Sequence, residues 1–277
     1  MKVYIIADGE GISGVVSSDE MHESGSRFEE FRELMTMDVN AAIEGAFQGG
    51  ATEVVVNDAH WSMLNLIYKD LDPRAEIIRG GAKKLSMVEQ VEGNDLVFMV
   101  GLHAKVGHSD GLANETMMGP EMYEMRMNGE PVGELELNAA IAGHFGIPVG
   151  MVSGDDYLAQ DAKASLGDVE AAVVKKAINR FCARCLSLPT SHALITQHAK
   201  RAVERAADFQ PYVVEGEVEL EIEWTSTQEC YRASFVPGSY RKNARTIAYK
   251  GATILEAWEG IFACLIMGST GYDAIYG

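Results

Sequence analysis

The sequence lacks any apolar run long enough to cross a membrane. Its longest apolar segments, such as residues 261–267, are far shorter than the roughly 20 residues that span a bilayer. The run at residues 3–7 is also shorter than the hydrophobic region of a signal peptide, and no cleavage pattern follows it. These absences predict a protein that neither crosses a membrane nor is exported, and therefore a cytoplasmic location.

Basic residues are scarce relative to acidic ones. The chain has 23 Lys and Arg against 41 Asp and Glu, which gives a formal net charge of −18. A surface this acidic repels phosphate backbones and anionic lipids. The charge balance therefore argues against nucleic acid and membranes as partners. It also opposes self-association unless the interfaces are apolar.

Cysteine is rare, with four residues in a chain of 277. Cys182 and Cys185 form a CxxC pair, but no second pair exists that would complete a structural zinc site. The pair falls in a segment that reads as a helix, whereas a redox CxxC normally lies at a strand-to-helix turn. We therefore predict that all four cysteines are small thiols packed in the core.

The first half of the chain alternates short apolar strands with helices. The segments with the near-continuous apolar character of buried strands are residues 3–7, 53–57, 96–101 and 147–153. Apolar residues recur at helical spacing over 35–46, and the glycines at 49 and 50 end that helix. A second helix is predicted over 134–143. This alternation predicts an α/β fold, with a mostly parallel open sheet flanked by helices.

The second half is predicted to form a smaller α+β part. The expected elements are helices over 159–184 and 190–207, strands over 217–224, 231–236 and 245–249, and a helix from about Ile254. The composition shows no linker, so we place a soft boundary near residue 158. It divides the chain into a metal-binding α/β domain over 1–158 and an α+β domain over 159–277.

The loop after the first strand resembles a dinucleotide-binding fingerprint, because Gly9–Gly14 matches G-x-G-x-x-G. That fingerprint needs a helix whose N-terminal N–H groups face a pyrophosphate. Here Asp8 and Glu10 place two carboxylates in the position of the phosphate, and the polar residues that follow do not form a buried-helix pattern. Two carboxylates this close repel each other unless a cation neutralises them. We therefore interpret the segment as a metal-binding loop.

Other acidic and histidine side chains follow the other predicted strands. They are Asp58 and His60 after the second, His103 and His108 after the third, and Asp155 and Asp156 after the fourth. Ligands of open α/β sheets bind at the carboxyl ends of the strands, where these residues meet. Mixed histidine and carboxylate ligands suit zinc or a similar divalent ion. The pattern predicts a metal site at this edge of the sheet.

Taken together, four motifs resemble the dinuclear-zinc D-aminopeptidases of bacterial dipeptide-transport operons. They are Asp8–Gly14 (DGEGISG), Asn57–His60 (NDAH), Gly101–Ala104 (GLHA) and Pro131–Leu135 (PVGEL). The likeness extends over nearly the whole chain. It implies two zinc ions per chain, with Asp8 in the bridging position and with Glu10, His60, His103 and Glu134 as the other protein ligands. It also implies hydrolysis of short peptides with a free N-terminal D-residue, such as D-Ala-D-Ala, and a homodecamer of two stacked rings.

One position departs from the family pattern. Where the family has a catalytic histidine, four residues after the glycine that matches Gly111, this chain has Glu115. Three interpretations follow. Glu115 acts as the general base, or His108 on the same loop supplies the missing imidazole. In the third, peptidase activity has been lost. The alternatives to a peptidase are another metal-dependent amidohydrolase or phosphoesterase, and a non-catalytic oligomer that binds metal or a small ligand.

Overall fold

Twelve strands and seven α-helices lie within residues 1–273, the part of the chain that the computed structural model describes. The strands are β1 (Lys2–Ala7), β2 (Glu53–Asp58), β3 (Glu76–Ile78), β4 (Leu96–Val100), β5 (Met122–Met127), β6 (Glu130–Val132), β7 (Val149–Asp155), β8 (Glu170–Asn179), β9 (Cys182–Cys185), β10 (Val218–Trp224), β11 (Tyr240–Arg241) and β12 (Thr246–Gly251). The helices are α1 (Ser18–Met21), α2 (Phe28–Gln48), α3 (Glu134–His144), α4 (Asp156–Leu166), α5 (Leu188–Glu204), α6 (Thr227–Ala233) and α7 (Ile254–Ser269).

The larger sheet has seven strands in the order β3-β2-β1-β4-β7-β8-β9. All neighbours are parallel except the edge pair β8–β9, which is antiparallel. Its central strands are buried on both faces, as their continuous apolar sequences require. A mostly parallel sheet flanked by helices confirms the predicted α/β class.

The two faces of this sheet pack against different layers. Because side chains alternate along a strand, Val3 and Ile5 of β1 pack in one apolar cluster with α2 and α5. Tyr4 and Ile6 pack in a second cluster, which contains α3, α7 and the smaller sheet. The core is therefore divided by the parallel sheet, and the carboxyl ends of its strands are left free for a site.

The smaller sheet is antiparallel and has five strands in the order β11-β12-β10-β5-β6. Along its central strand β10, buried apolar residues alternate with glutamates. The alternation predicts a solvated glutamate face, but Glu221 is buried and pairs with Lys242 at 2.9 Å. Each sheet takes strands from both sides of residue 158. The two predicted domains therefore do not correspond to the two sheets, and the division at residue 158 stays a prediction.

The helix predicted over 159–184 is wrong in its second half. α4 ends at Leu166 because Gly167 has a φ of +80°, which a helix does not accommodate. The chain then forms the β8–β9 pair at the edge of the parallel sheet. Cys182 is consequently exposed and Cys185 is half-buried, so the prediction of core thiols is wrong for this pair. It is confirmed for Cys230 and Cys264, which are buried.

The strand predicted over 231–236 is also wrong, because α6 extends to Ala233 and turns follow it. Glu229 accepts a hydrogen bond from the backbone N–H of Ser226 at 2.9 Å. This contact is one half of the reciprocal cap that starts a helix. No helix among residues 1–273 is both long enough and apolar enough to cross a membrane.

Candidate metal centre

The candidate ligands come from three strand ends and one helix start. Asp8 follows β1, His60 follows β2 and His103 follows β4, while Glu134 is the first residue of α3. The parallel register aligns these ends, because Ala7 at the end of β1 pairs with the last residues of both β2 and β4. The edge predicted from the sequence is therefore the edge at which these side chains meet.

Asp8 lies between two imidazole rings. Its Oδ1 is 3.3 Å from Nδ1 of His60, and its Oδ2 is 3.5 Å from Nε2 of His103. The same His60 nitrogen is 3.2 Å from Oε2 of Glu10. Nε2 of His103 is 3.4 Å from Oε1 of Glu134. The structure thus brings together all five side chains predicted as ligands, and each imidazole faces two carboxylates.

The donor atoms of this cluster are close enough to share a cation. One donor atom from each of Asp8, Glu10 and His103 lies within 4.8 Å of the others. Oδ2 of Asp8 and Oε2 of Glu10 are buried without a hydrogen-bond partner among the described residues. A buried carboxylate oxygen in this state requires a proton or a cation. Two imidazoles and three carboxylates form a donor set that suits zinc.

Hydrogen bonds outside the cluster hold the ring of His103 and the backbone of His60. Nδ1 of His103 lies 3.0 Å from the carbonyl oxygen of Ala104, which assigns the proton to Nδ1 and leaves Nε2 free as a ligand. The carbonyl oxygen of His60 accepts a bond from the Asn65 side chain at 2.6 Å. Asn65 in turn donates to the buried carboxylate of Asp58 at 2.9 Å. Asp58 therefore holds the backbone of the His60 loop rather than its ring.

The candidate ligands are buried and carry charges close to one another. Burial and these charges shift the pKa values of the ligand side chains. Burial, and then the charge of Glu10, raise the pKa of Asp8 to about 6. Burial alone would also raise the pKa of Glu10, but the charge of His60 holds it below its usual range. Burial opposes protonation of His60 and His103, yet the facing carboxylates raise both pKa values well above the ordinary one.

Glu115 lies on the loop between β4 and β5, within electrostatic range of the cluster. Burial, followed by the charge of Glu10, raises the pKa of Glu115 to about 8. Two residues further on, the backbone N–H of Met117 donates to Oε1 of Glu134 at 2.6 Å. The loop that carries Glu115 is therefore attached directly to one of the candidate ligands.

His108 occupies a different place on the same loop. Its Nε2 lies 2.8 Å from Oδ2 of Asp161, and its ring packs against Tyr157 with centroids 5.2 Å apart. Both partners belong to α4. Among the described residues, the contacts of His108 therefore anchor the loop to a helix and do not include a candidate ligand. Asp155 also anchors this loop, because its Oδ2 accepts a bond from Leu112 N at 3.0 Å.

Comparison of the sequence with known proteins identifies the family of this chain. The sequence model of the D-aminopeptidase family matches residues 1–263. The chain belongs to this family. A D-aminopeptidase of Bacillus subtilis (strain 168) is 34% identical over 264 residues, which cover 94% of this chain and 95% of that protein. The family resemblance inferred from the sequence motifs is confirmed.

A solved D-aminopeptidase structure is also similar. It is the zinc-dependent D-aminopeptidase DppA from Bacillus subtilis, described as a self-compartmentalizing protease. The two structures superpose with a TM-score of 0.93 at 32% sequence identity, covering 97% of this chain and 98% of that one. The similarity in fold therefore extends over nearly the whole chain.

Proposed function

We propose that this chain is a zinc-dependent aminopeptidase that hydrolyses short peptides with an N-terminal D-residue, of the D-Ala-D-Ala type. The observation that carries the proposal is the position of Asp8 between His60 and His103 in a buried cluster with two further carboxylates. Family membership and the zinc dependence stated for the similar Bacillus subtilis structure support it.

We further propose two zinc ions per chain. Five candidate ligands exceed the four that one tetrahedral ion accepts. Asp8 presents one oxygen to each imidazole, which is the arrangement expected of a bridging carboxylate. Glu10 and His60 would complete one position, while His103 and Glu134 would complete the other, because each pair is in contact.

The chain's own residues supply orientation and proton transfer. The chemistry that zinc contributes when it is bound is polarisation of a carbonyl group and a lower pKa of water. Glu115 would accept a proton from the attacking water and pass it to the leaving amine. The bond between Met117 and Glu134 fixes its loop against the site, and the contact of His108 with Asp161 holds the other end.

The assembly is proposed to be a homo-oligomer, and specifically the decamer that the resemblance implies. The similar structure is described as self-compartmentalizing, which requires several copies to enclose a chamber. Sedimentation at micromolar concentration tests this proposal, and a monomer would contradict it. The cytoplasmic location stays a prediction.

The alternatives are less favoured. Another amidohydrolase or phosphoesterase would use the same metals, and a binding protein would use them without turnover, but family membership supports the peptidase. A panel of dipeptides with D- or L-configured first residues, with cyclic amides and phosphoesters beside them, separates the three. Release limited to D-configured N-termini and abolished by a chelator supports the proposal, whereas tight ligand binding without turnover contradicts it.

The metal content of variants is a second test of the proposal, beside the substrate panel. Asp8→Ala removes the carboxylate that contacts both imidazoles. We expect elemental analysis of the purified variant to show loss of both ions. Glu130→Ala, at an exposed carboxylate on β6, is the matched control and should retain full metal content. Full occupancy in Asp8→Ala would rule out the bridging role.

A further inference from the structure

A buried lysine from the second half of the chain contacts the loop that carries Asp8 and Glu10. Nζ of Lys175, on β8, lies 2.6 Å from the carbonyl oxygen of Glu10, 2.8 Å from that of Ile12 and 2.6 Å from that of Val15. An ammonium group has three N–H donors. All three are therefore used on the backbone of this one loop.

Such an arrangement is costly for the fold. Lys175 is 1% exposed, and lysine is almost never buried this completely unless it is paired with a charge. Among the described residues no carboxylate forms an ion pair with it, and its partners are neutral carbonyl groups. Three contacts with carbonyl oxygens use three N–H donors, and only the charged ammonium form of lysine has three. The charged group of Lys175 therefore stabilises the conformation of this one loop.

The loop needs an external constraint because it holds two carboxylates that repel each other. Without a cation, this repulsion favours a conformation in which Asp8 and Glu10 are farther apart. Glu10 is held on both sides, since its side chain contacts His60 at 3.2 Å and its carbonyl contacts Lys175 at 2.6 Å. Asp38 adds one bond to the same loop, from Ser13 N at 2.8 Å.

We propose that Lys175 is a positioning residue that holds the Asp8–Val15 loop in its metal-binding conformation before any metal arrives. This inference rests on the proposed metal centre. It assigns to Lys175 a contribution to metal affinity, with no contact to the substrate. Residues that orient metal ligands typically contribute about 10–100-fold to metal affinity.

The test is zinc affinity of Lys175→Met, which keeps the length of the side chain and removes its donors. We expect zinc dissociation constants about 10–100-fold higher than those of the wild type, measured on the metal-free protein by competition with a chromophoric chelator. The cobalt-loaded variant should show an altered visible spectrum. Lys175→Gln, which retains two donors, should lie between the wild type and Lys175→Met.

A control separates this role from general stability. Ile247→Ala removes a fully buried side chain of the antiparallel sheet and should lower Tm without changing zinc affinity. If Lys175→Met lowers Tm but binds zinc as tightly as the wild type, the inference is overturned. If the wild type itself binds no zinc, or if Asp8→Ala leaves zinc binding unchanged, the proposed metal centre fails instead.

A measurement on the wild type covers the case in which both Lys175 variants fail to fold. The backbone N–H of Gly11 donates to Gly101 O at 2.7 Å and that of Ser13 donates to Asp38. A loop held by Lys175 should protect both amides from hydrogen exchange in the metal-free protein. Exchange at the rate of an open loop, with protection gained only on adding zinc, would overturn the proposal.

Discussion

A Cβ atom on Gly9 would lie 2.8 Å from Cγ of the His60 ring. Real Cβ contacts essentially never reach this distance, so the ring occupies space that only a glycine leaves open. The glycine between Asp8 and Glu10 therefore allows His60 to approach both carboxylates. Its role is steric, and it connects the sequence of the loop to the geometry of the site.

Gly9→Ala should displace the His60 imidazole from Asp8 and Glu10 and lower zinc affinity at least tenfold, because a ligand held out of position loses its bond to the metal. Competition titration with a chelator measures the change. Gly81→Ala is the matched control, since no atom beyond the two neighbouring residues lies within 4 Å of a Cβ at that position. Equal zinc affinity in the two variants would show that the ring shifts without loss of binding.

The residues of the candidate metal centre are more predictable from the sequence than the β8–β9 pair at the side of the same sheet. Asp8, His60 and His103 each follow an apolar run that reads as a buried strand, and parallel strands place their carboxyl ends together. The pattern therefore predicts which residues meet, without predicting their distances. Only the family resemblance points to Glu134, because a helix start next to the site leaves no local signal in the sequence.

The β8–β9 pair and Lys175 were not predictable in the same way. Residues 170–178 are rich in alanine and lysine, which favour helix, and only pairing with β7 makes them a strand. Lys175 contacts a residue 165 positions away in the chain, and a lysine in such a segment predicts a solvated side chain. Asn65 was missed for a similar reason, because an amide in a polar loop carries no signal of its partner.

Zinc binding should release protons at neutral pH. Zinc needs ionised carboxylates and neutral imidazoles, but the pKa values of His60 and His103 are raised well above the ordinary value and that of Glu115 is raised to about 8. These groups carry protons in the metal-free protein until the pH passes their pKa values. Zinc affinity should therefore rise with pH across this range and level off above it.

Calorimetry in buffers of different ionisation enthalpy measures these protons directly. Proton release at pH 7 should be positive and should decline as the pH rises past about 8. Glu115→Gln should release fewer protons than the wild type when zinc binds at pH 7, because the variant lacks the Glu115 carboxyl group and its proton. An observed binding enthalpy that does not depend on the buffer would contradict the protonation states inferred for the site.

Glu121 is a buried carboxyl group outside the metal cluster. We expect it to make the stability of the fold depend on pH, with or without the metal. Burial, followed by the charge of Glu229, raises the pKa of Glu121 to about 7. Because the folded pKa lies above the unfolded one, its stabilising contribution is complete below the unfolded value of 4.5 and is lost as the pH rises through about 7. Stability should therefore fall with pH over this window.

Glu121→Gln should remove this dependence, because the amide resembles the protonated carboxyl group. We expect the chelated variant to melt at least about 2 °C above the wild type at pH 8, since 1 kcal/mol corresponds to about 2–4 °C in a chain near this size. The difference should shrink at pH 5. Glu130→Gln, at an exposed carboxylate, is the control. A difference in Tm that stays constant between pH 5 and pH 8 would be inconsistent with the raised pKa.

The last prediction concerns Glu115, at the position where the family resemblance implies a histidine. If Glu115 accepts the proton of the attacking water, Glu115→Gln keeps the size of the side chain and removes its basicity. It should leave the zinc content intact and lower kcat by about 10²–10⁴-fold, the usual contribution of general acid–base catalysis. Zinc ions within about 6 Å would lower the pKa of Glu115 from its metal-free value. The acidic limb of the pH–rate profile should then lie below the value of about 6.5 expected of an imidazole base.

His108→Ala is the matched variant for this prediction, because it removes the other candidate base from the same loop. His108 contacts Asp161 and Tyr157, so its loss should loosen the loop and lower kcat much less than Glu115→Gln does. Near-full kcat in Glu115→Gln together with an inactive His108→Ala would assign the proton transfer to His108. If the wild type is inactive on every substrate while it retains its zinc, then Glu115 does not support catalysis at the position where the resemblance implies a histidine. The chain would then be a metal-binding protein built on a peptidase fold.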